Sequence, residues 1–258
     1  MPGHPWYAVL QYFGRYFAGW QRQPDTRTVQ GEFEGALERL AGSRIVTNAA
    51  GRTDTGVHAL GQVVSFSLGR EWEAGDLTRA LNALLPDDVR VVRTATAPEG
   101  FNARKHATAR RYRYVVGCDA AAFSPFRRPF EWALGKPLDQ AALSMVVDAL
   151  VGEHDFRAFS SAGQRKPHYR CQVATAEWQA RPKAEGFIFT IEADRFLHRM
   201  VRFLVGMSID IALGRRATED MARLLAGTDN AAASPPAPPE GLYLVSVTYP
   251  QLHKDGST

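Results

Sequence analysis

In the stretch AAGRTDTGVHALGQ, residues 49–62, a single carboxylate, Asp54, stands among glycines, threonines, an arginine and a histidine. Gly51 and Gly56 flank it and permit close backbone approach by a ligand. Arg52 sits two residues earlier, where a guanidinium favours the ionised carboxylate. A nucleophile or a general base requires that ionised form, and a general acid does not. Asp and Gly just before a strand are also ordinary turn chemistry. The triplet Asp-Thr-Gly occurs in aspartic proteases as well, but those need two carboxylates sharing a proton. This chain has one such triplet, so a protease would need a homodimer to supply the second.

A second block, FNARKHATARRYRY (101–114), places Arg104, Lys105, Arg110, Arg111 and Arg113 in a run without an acid between Glu99 and Asp119. Tyr112 has an arginine on either side; it is either a core aromatic or a platform for a displaced base at the mouth of a basic cleft. A second acid-free run, between Asp155 and Glu177, holds Arg157, Arg165, Lys166 and Arg170, and a third group is Arg195, Arg199 and Arg202. Net charge is only +4, so the clustering carries more information than the sum. Basic runs with interleaved aromatics such as Tyr114, Phe156, Phe159, His168 and Tyr169 suit a polyanion with stackable bases. Solvated charged faces are the plainer alternative. His58 and His154 lie in no metal-binding spacing, and neither a Walker loop nor GxGxxG is present, so neither metal nor nucleotide cofactor is expected. Beside Ser160 and Ser161 nothing supplies a base or an oxyanion hole.

These residues need a scaffold, and the chain supplies a regular one. A strand is expected over 6–12, a helix from the N-cap Thr28 to the stop at Gly42, and a strand over 62–68. A helix over 76–86 and a strand over 88–96 complete the first hundred residues. The second half repeats the rhythm: strand 110–117, helix 139–152, hairpin 171–180 and 186–194, a long helix 196–214, a short helix 218–226 and a strand 241–250. In the long helix Phe196, Met200 and Phe203 share one face, while His198, Arg199 and Arg202 fall towards another. The Pro-rich segment 231–240 is extended and becomes ordered only when bound to something. The expected class is α+β: two similar lobes contributing to a mixed, mainly antiparallel central sheet flanked by helices, with a basic RNA-binding cleft between them. The lobes are 1–105 and 106–250, followed by a short tail, 251–258. The 258 residues suffice for two such lobes. The apolar run 196–213 is interrupted by charge, so no membrane span is expected. The opening residues lack the layout of a secretion signal, and the two cysteines form no CxxC, which together suggest a cytoplasmic protein.

In their order, the stretches GWQRQP (19–24), TVQGEFEGAL (28–37), AGRTDTGVHALGQVVSF (50–66), LNALLPDDVRV (81–91), FNARKHATARRYRY, GEHDFRAF (152–159), FLHRMVRFLVG (196–206) and APPEGLYLVSVTYP (237–250) resemble the A-type tRNA pseudouridine synthases. One departure is visible. The family's opening is usually Tyr-Asp-Gly-Thr, whereas Phe13 and Arg15 hold the Asp and Thr positions here, and no role is assigned to this loop. The resemblance implies an isomerase that converts uridine to pseudouridine in the anticodon arm of tRNA, at nucleotides 38 to 40, without cofactor or metal and as a homodimer. It further implies that Asp54 is the catalytic aspartate, Arg52 its partner, Tyr112 the tyrosine beside the base and Leu242 an apolar residue packing on the base. Arg104, Lys105, Arg110, Arg199 and Arg202 are candidate contacts to the RNA backbone. A non-catalytic tRNA-binding module, with Asp54 as a turn residue, is the alternative.

Overall fold

Alternation and capping decide most of the local structure. The computed structural model describes residues 3–161, 168–183, 185–227 and 232–252. Arg165, Lys166 and the tail beyond 252 lie outside the described residues. The chain divides into two compact units, Met1–Thr108 with Leu244–Thr258, and Ala109–Tyr243.

The first unit is built on β1 (His4–Tyr12), which pairs antiparallel with β3 (His58–Leu68) on one side and β4 (Val89–Thr96) on the other. Between β1 and β3 come α1 (Val29–Ala41) and the two-residue β2 (Asn48–Ala49), which pairs with β3. Thr28 caps α1 by accepting from Gly31 N, and Gly42 ends it in the left-handed region at φ 69°. Its buried face, Val29, Phe33, Ala36 and Leu37, meets β3 where Phe33 lies edge-on to Phe66 at 5.7 Å. α2 (Ala74–Leu84) stops short of Pro86, as the residue before a proline avoids helical geometry, and Asn82 bonds both backbone groups of Val91 at 2.8 Å. Successive β3 side chains point to opposite faces, and both faces are covered. Val63 and Ser65 look towards a second cluster holding Tyr7, Ala103 and Tyr249, in which Tyr249 Oη donates to Ala103 O at 2.6 Å. β3 starts four residues earlier than its apolar run suggests. There Gly61 lies so close to Val245 O that a Cβ would sit 2.4 Å away, so no side chain marks the strand.

In the second unit β5 (Ala109–Gly117), β9 (Gly186–Ala193), β8 (Arg170–Ala180) and β7 (Gly152–Asp155) follow one another as antiparallel neighbours. The short β6 (Trp132–Ala133) pairs parallel with β5. Together with α3 (Gln140–Asp148), α4 (Met200–Ala212) and α5 (Glu219–Ala226), these make the α+β class with mixed, mainly antiparallel pairing. The strand β10 (Leu242–Thr248) closes the order of elements. Asp139 caps α3, accepting from Ala141 N and Ala142 N.

Three expectations need correction. Residues 152–155 form an edge strand beside β8, unseen in sequence because GEHD carries no apolar alternation. The long helix starts at Met200, not at 196: Arg199 adopts φ 62°, and Phe196 turns away to meet the Tyr112 ring. The proline-rich segment is ordered against its own chain. Ala237 N donates to Arg202 O at 2.9 Å, Arg202 Nε donates to Ala237 O at 2.7 Å, and Gly206 leaves room for Pro235 O.

Glu131 is buried, and two guanidiniums hold it: Arg127 Nε at 2.9 Å and Arg181 Nη1 at 2.6 Å. Glu131→Ala strands those cations and is expected to lower the unfolding free energy by about 3–5 kcal/mol, read by urea denaturation. Burial pushes the phenols of Tyr12 and Tyr243 from 10.0 up to about 12. A raised phenol pKa contributes stability that is whole below about pH 10 and is lost as pH climbs towards 12. Tyr243→Phe is therefore expected to flatten alkaline denaturation in that window.

Candidate active site

The loop carrying Asp54 runs from Ala50 to Val57 in the first unit and enters β3 at His58. Its backbone is held on alternate residues. Gly51 O accepts from Gln62 Nε2 at 2.7 Å, and Thr53 O accepts from Trp20 N at 3.0 Å. The Thr53 hydroxyl meets the Tyr12 phenol at 2.8 Å. Ala50 N donates to Val63 O at 2.8 Å, and a turn closes from Val57 N to Asp54 O at 3.2 Å, with Gly56 at φ 80°. Residues 51 and 53 thus face the scaffold, which leaves Arg52 exposed and Asp54 half-buried. Among the described residues Arg52 makes no ion pair with Asp54; the two are neighbours in the loop.

The segment that presses on this loop is the one to which the sequence assigned no role. Gly14, in the 3-10 turn Gly14–Tyr16, lies against Val57, where an added Cβ would come within 1.9 Å of Val57 O. Gly19, at φ 89°, lies against Thr53, with 2.8 Å from such a Cβ to Thr53 O. Gly14 N donates to His58 Nδ1 at 3.0 Å, which fixes that ring nitrogen as an acceptor, and Phe13 stacks on the His58 ring at 5.1 Å. Arg27 ties the segment down from outside: it binds Asp88 through two bonds of 2.7 and 2.8 Å, reaches Glu32 at 2.7 Å, and lies over the Phe17 ring at 4.2 Å. Tyr12, Gly14, Gly19, Trp20 and Gln62 are therefore parts of the site that sequence reasoning missed. The pair Gly19-Trp20 offered a signal, since a glycine followed by a large aromatic suits a close backbone crossing.

In the second unit Tyr112 sits on β5, buried, with its ring edge-on to Phe196 at 5.0 Å. Leu242, also buried, opens β10 behind Gly241, where an added Cβ would come within 2.7 Å of the Tyr114 ring. The Tyr114 hydroxyl donates to Pro238 O at 2.7 Å and so fixes the approach to Leu242. The five candidate backbone-contact residues differ in availability. Arg104 and Lys105 are exposed on a turn whose two backbone N–H groups bond Asn102 Oδ1, at 3.0 and 3.1 Å. Arg199 is exposed at its left-handed corner. Arg110 spends Nη1 on Asp194 O at 2.6 Å, and Arg202 holds Ala237. Among the described residues no group of three or more His, Cys, Asp or Glu could hold a metal ion.

Gly14→Ala is expected to lower the unfolding free energy by about 1–3 kcal/mol through overpacking against Val57. Hydrogen exchange at the Trp20 and Val57 amides should quicken at the same time; unchanged exchange would show that this contact does not seat the loop.

The family model for tRNA pseudouridine synthase matches residues 8–104 and 146–250. The chain is 41% identical over 243 residues to the tRNA pseudouridine synthase A of Chlorobium limicola, covering 93% of this chain and 97% of that one. It is 38% identical over 241 residues to the protein of that name from Myxococcus xanthus, covering 93% and 90%. For the counterpart in Gloeobacter violaceus the identity is 40% over 242 residues, covering 93% and 79%. A solved CRISPR endoribonuclease bound to RNA gives a TM-score of only 0.21 at 12% identity over 82% of this chain and 96% of that one, too low to bear on the fold. With the family model spanning most of both units and relatives of this identity covering nearly all of the chain, the protein belongs to the tRNA pseudouridine synthases and is an isomerase.

Proposed function

We propose that the enzyme converts uridine to pseudouridine in the anticodon arm of tRNA, at nucleotides 38 to 40, with Asp54 as its reacting carboxylate. The observation that supports this most is the seating of one half-buried carboxylate on a loop whose backbone is held on both sides. The reaction breaks the C1′–N1 bond, turns the uracil and rejoins it through C5. An ionised Asp54 serves either by attacking C1′ or by taking the C2′ proton. The target base leaves its stack at a cost of a few kcal/mol. Tyr112 and Leu242 hold the detached uracil and prevent its escape. Arg52, exposed beside Asp54 in the loop, occupies space that the flipped base vacates. Arg104, Lys105, Arg110, Arg199 and Arg202 meet phosphates, so affinity for tRNA falls as salt rises. No cofactor takes part, and the enzyme works as a homodimer in the cytoplasm.

Asp54→Asn is the decisive variant, since it keeps the side-chain shape and removes the charge. It is expected to abolish release of the C5 hydrogen from an unmodified tRNA transcript while leaving tRNA binding intact. Full hydrogen release by the variant would remove Asp54 from the chemistry.

A further inference from the structure

The turn that presses on the Asp54 loop also faces solvent. Its backbone is held along its length. Phe13 N donates to Asp88 O at 2.9 Å, Gly14 N to His58 Nδ1 at 3.0 Å, Phe17 N to Gly14 O at 3.1 Å and Ala18 N to Arg27 O at 2.8 Å. Over residues 12–20 only Arg15 and Tyr16 are exposed. Tyr16 is 65% exposed, and its ring meets the Phe13 ring edge-on at 5.8 Å. Phe13 in turn stacks on His58, the first residue of β3 after the Asp54 loop, at 5.1 Å and an interplanar angle of 20°. An aromatic row thus runs from the buried His58 out to a ring in water. The crossing of Gly14 over Val57 lies one residue from Arg15 and two from Tyr16, so it sets their place as well as that of the loop.

A singly exposed tyrosine is ordinary on a protein surface, but this one has a rigid mount and a charged neighbour. The rigid mount means that little freedom is lost when a ligand meets the ring. The first acid in the chain is Asp25, so residues 1–24 form a further acid-free stretch with two arginines, Arg15 and Arg22, among Tyr12, Phe13, Tyr16, Phe17 and Trp20. Arg22 lies 3.5 Å from Glu34, whereas Arg15 enters no ion pair among the described residues. We infer that Arg15 and Tyr16 form a nucleotide-contact subsite for tRNA, in which the Tyr16 ring stacks on an unpaired base near the reacting uridine and Arg15 takes a phosphate beside it. An unpaired base is the fitting ligand, because a base inside a duplex has both faces covered, whereas a displaced one offers a face to an aromatic ring. Phe13 and Arg15 are also the two residues at which this segment departs from the usual family opening, so the subsite belongs to this chain's own sequence. Its place near the target rests on Asp54 as the reacting carboxylate; its affinity for RNA does not.

The test measures the dissociation constant of an unmodified tRNA transcript, across a series of salt concentrations, for Tyr16→Ala, Tyr16→Phe and Arg15→Gln, with single-turnover rates alongside. Tyr16→Ala is expected to weaken binding about 5- to 100-fold. Tyr16→Phe, which keeps the ring, should retain most of the affinity. Arg15→Gln is expected to reduce the slope of log affinity against log salt by about 0.7–0.9, one phosphate's share, while Tyr16→Ala leaves that slope as it was. At saturating tRNA the Tyr16→Ala rate should recover, because the subsite holds substrate and touches no reacting atom. Wild-type affinity in Tyr16→Ala overturns the subsite. So does a loss in Tyr16→Phe equal to that in Tyr16→Ala, or an unchanged salt slope in Arg15→Gln. A shift in oligomeric state with tRNA affinity intact would also overturn it, and would assign the ring to a second copy of the chain. Any of these beside an inactive Asp54→Asn leaves the proposed function standing. Weakened binding in Tyr16→Ala beside a fully active Asp54→Asn would keep the subsite and remove Asp54 from the chemistry.

Discussion

The position of the Asp54 loop depends on two backbone crossings too close to admit a side chain. At Gly14 and Gly19 the chain leaving β1 passes directly over Val57 and Thr53, and at each point a methyl group would overlap a carbonyl oxygen. Contact between backbone and backbone is stiffer than contact through side chains, because it has no rotamers to exchange. The hydrogen bonds around it follow from that proximity. Trp20 N reaches Thr53 O, Gly14 N reaches His58 Nδ1, and the end of β1 brings Tyr12 to the Thr53 hydroxyl. A carboxylate presented by such a loop has its place set by main-chain geometry, with little left to side-chain adjustment.

The second unit uses the same device for a different side chain. Gly241 lets the backbone cross the Tyr114 ring, and the Tyr114 hydroxyl fastens Pro238 in turn. The proline-rich stretch is thereby laid along α4 by a reciprocal pair of bonds between Arg202 and Ala237, ahead of Leu242. Proline suits the stretch because its restricted backbone loses little entropy on being fixed. Basic side chains here divide into two kinds. Arg27, Arg127 and Arg181 are committed to carboxylates of the fold, whereas Lys105 and Arg199 are exposed. Composition counts both kinds alike, which is why a net charge of +4 says little about the partner.

What the sequence showed clearly was whatever is encoded locally. Thr28 and Gly42 bound the first helix as their capping chemistry requires, and the alternation in RRYRYVVG buries Tyr112 and Tyr114 together on β5. The Asp54 block and its neighbours identified the family. The missed features are products of tertiary contact. β7 is a strand only because β8 lies beside it, and GEHD has no pattern of its own. The helix α4 loses its expected first turn because Phe196 finds an aromatic partner on a distant strand, although Phe196, Met200 and Phe203 have helical spacing. The supports of the Asp54 loop were hidden for a related reason. Tyr12 and Thr53 are 41 positions apart, and Gly14 and His58 are 44, so no local window contains both halves of either bond.

The small cluster under β3 joins residues from far ends of the chain: Tyr249 bonds Ala103 across 146 positions, and Val245 lies over Gly61. During synthesis the ribosome delivers Asp54 and its loop early, and delivers segment 244–252 only after the whole second unit has been made. Until then one face of β3 lacks its cover, and closing so long a loop is slow. A nascent chain therefore acquires the Asp54 loop as sequence long before that loop's unit is complete, and translation itself sets the earliest moment at which the enzyme can be competent.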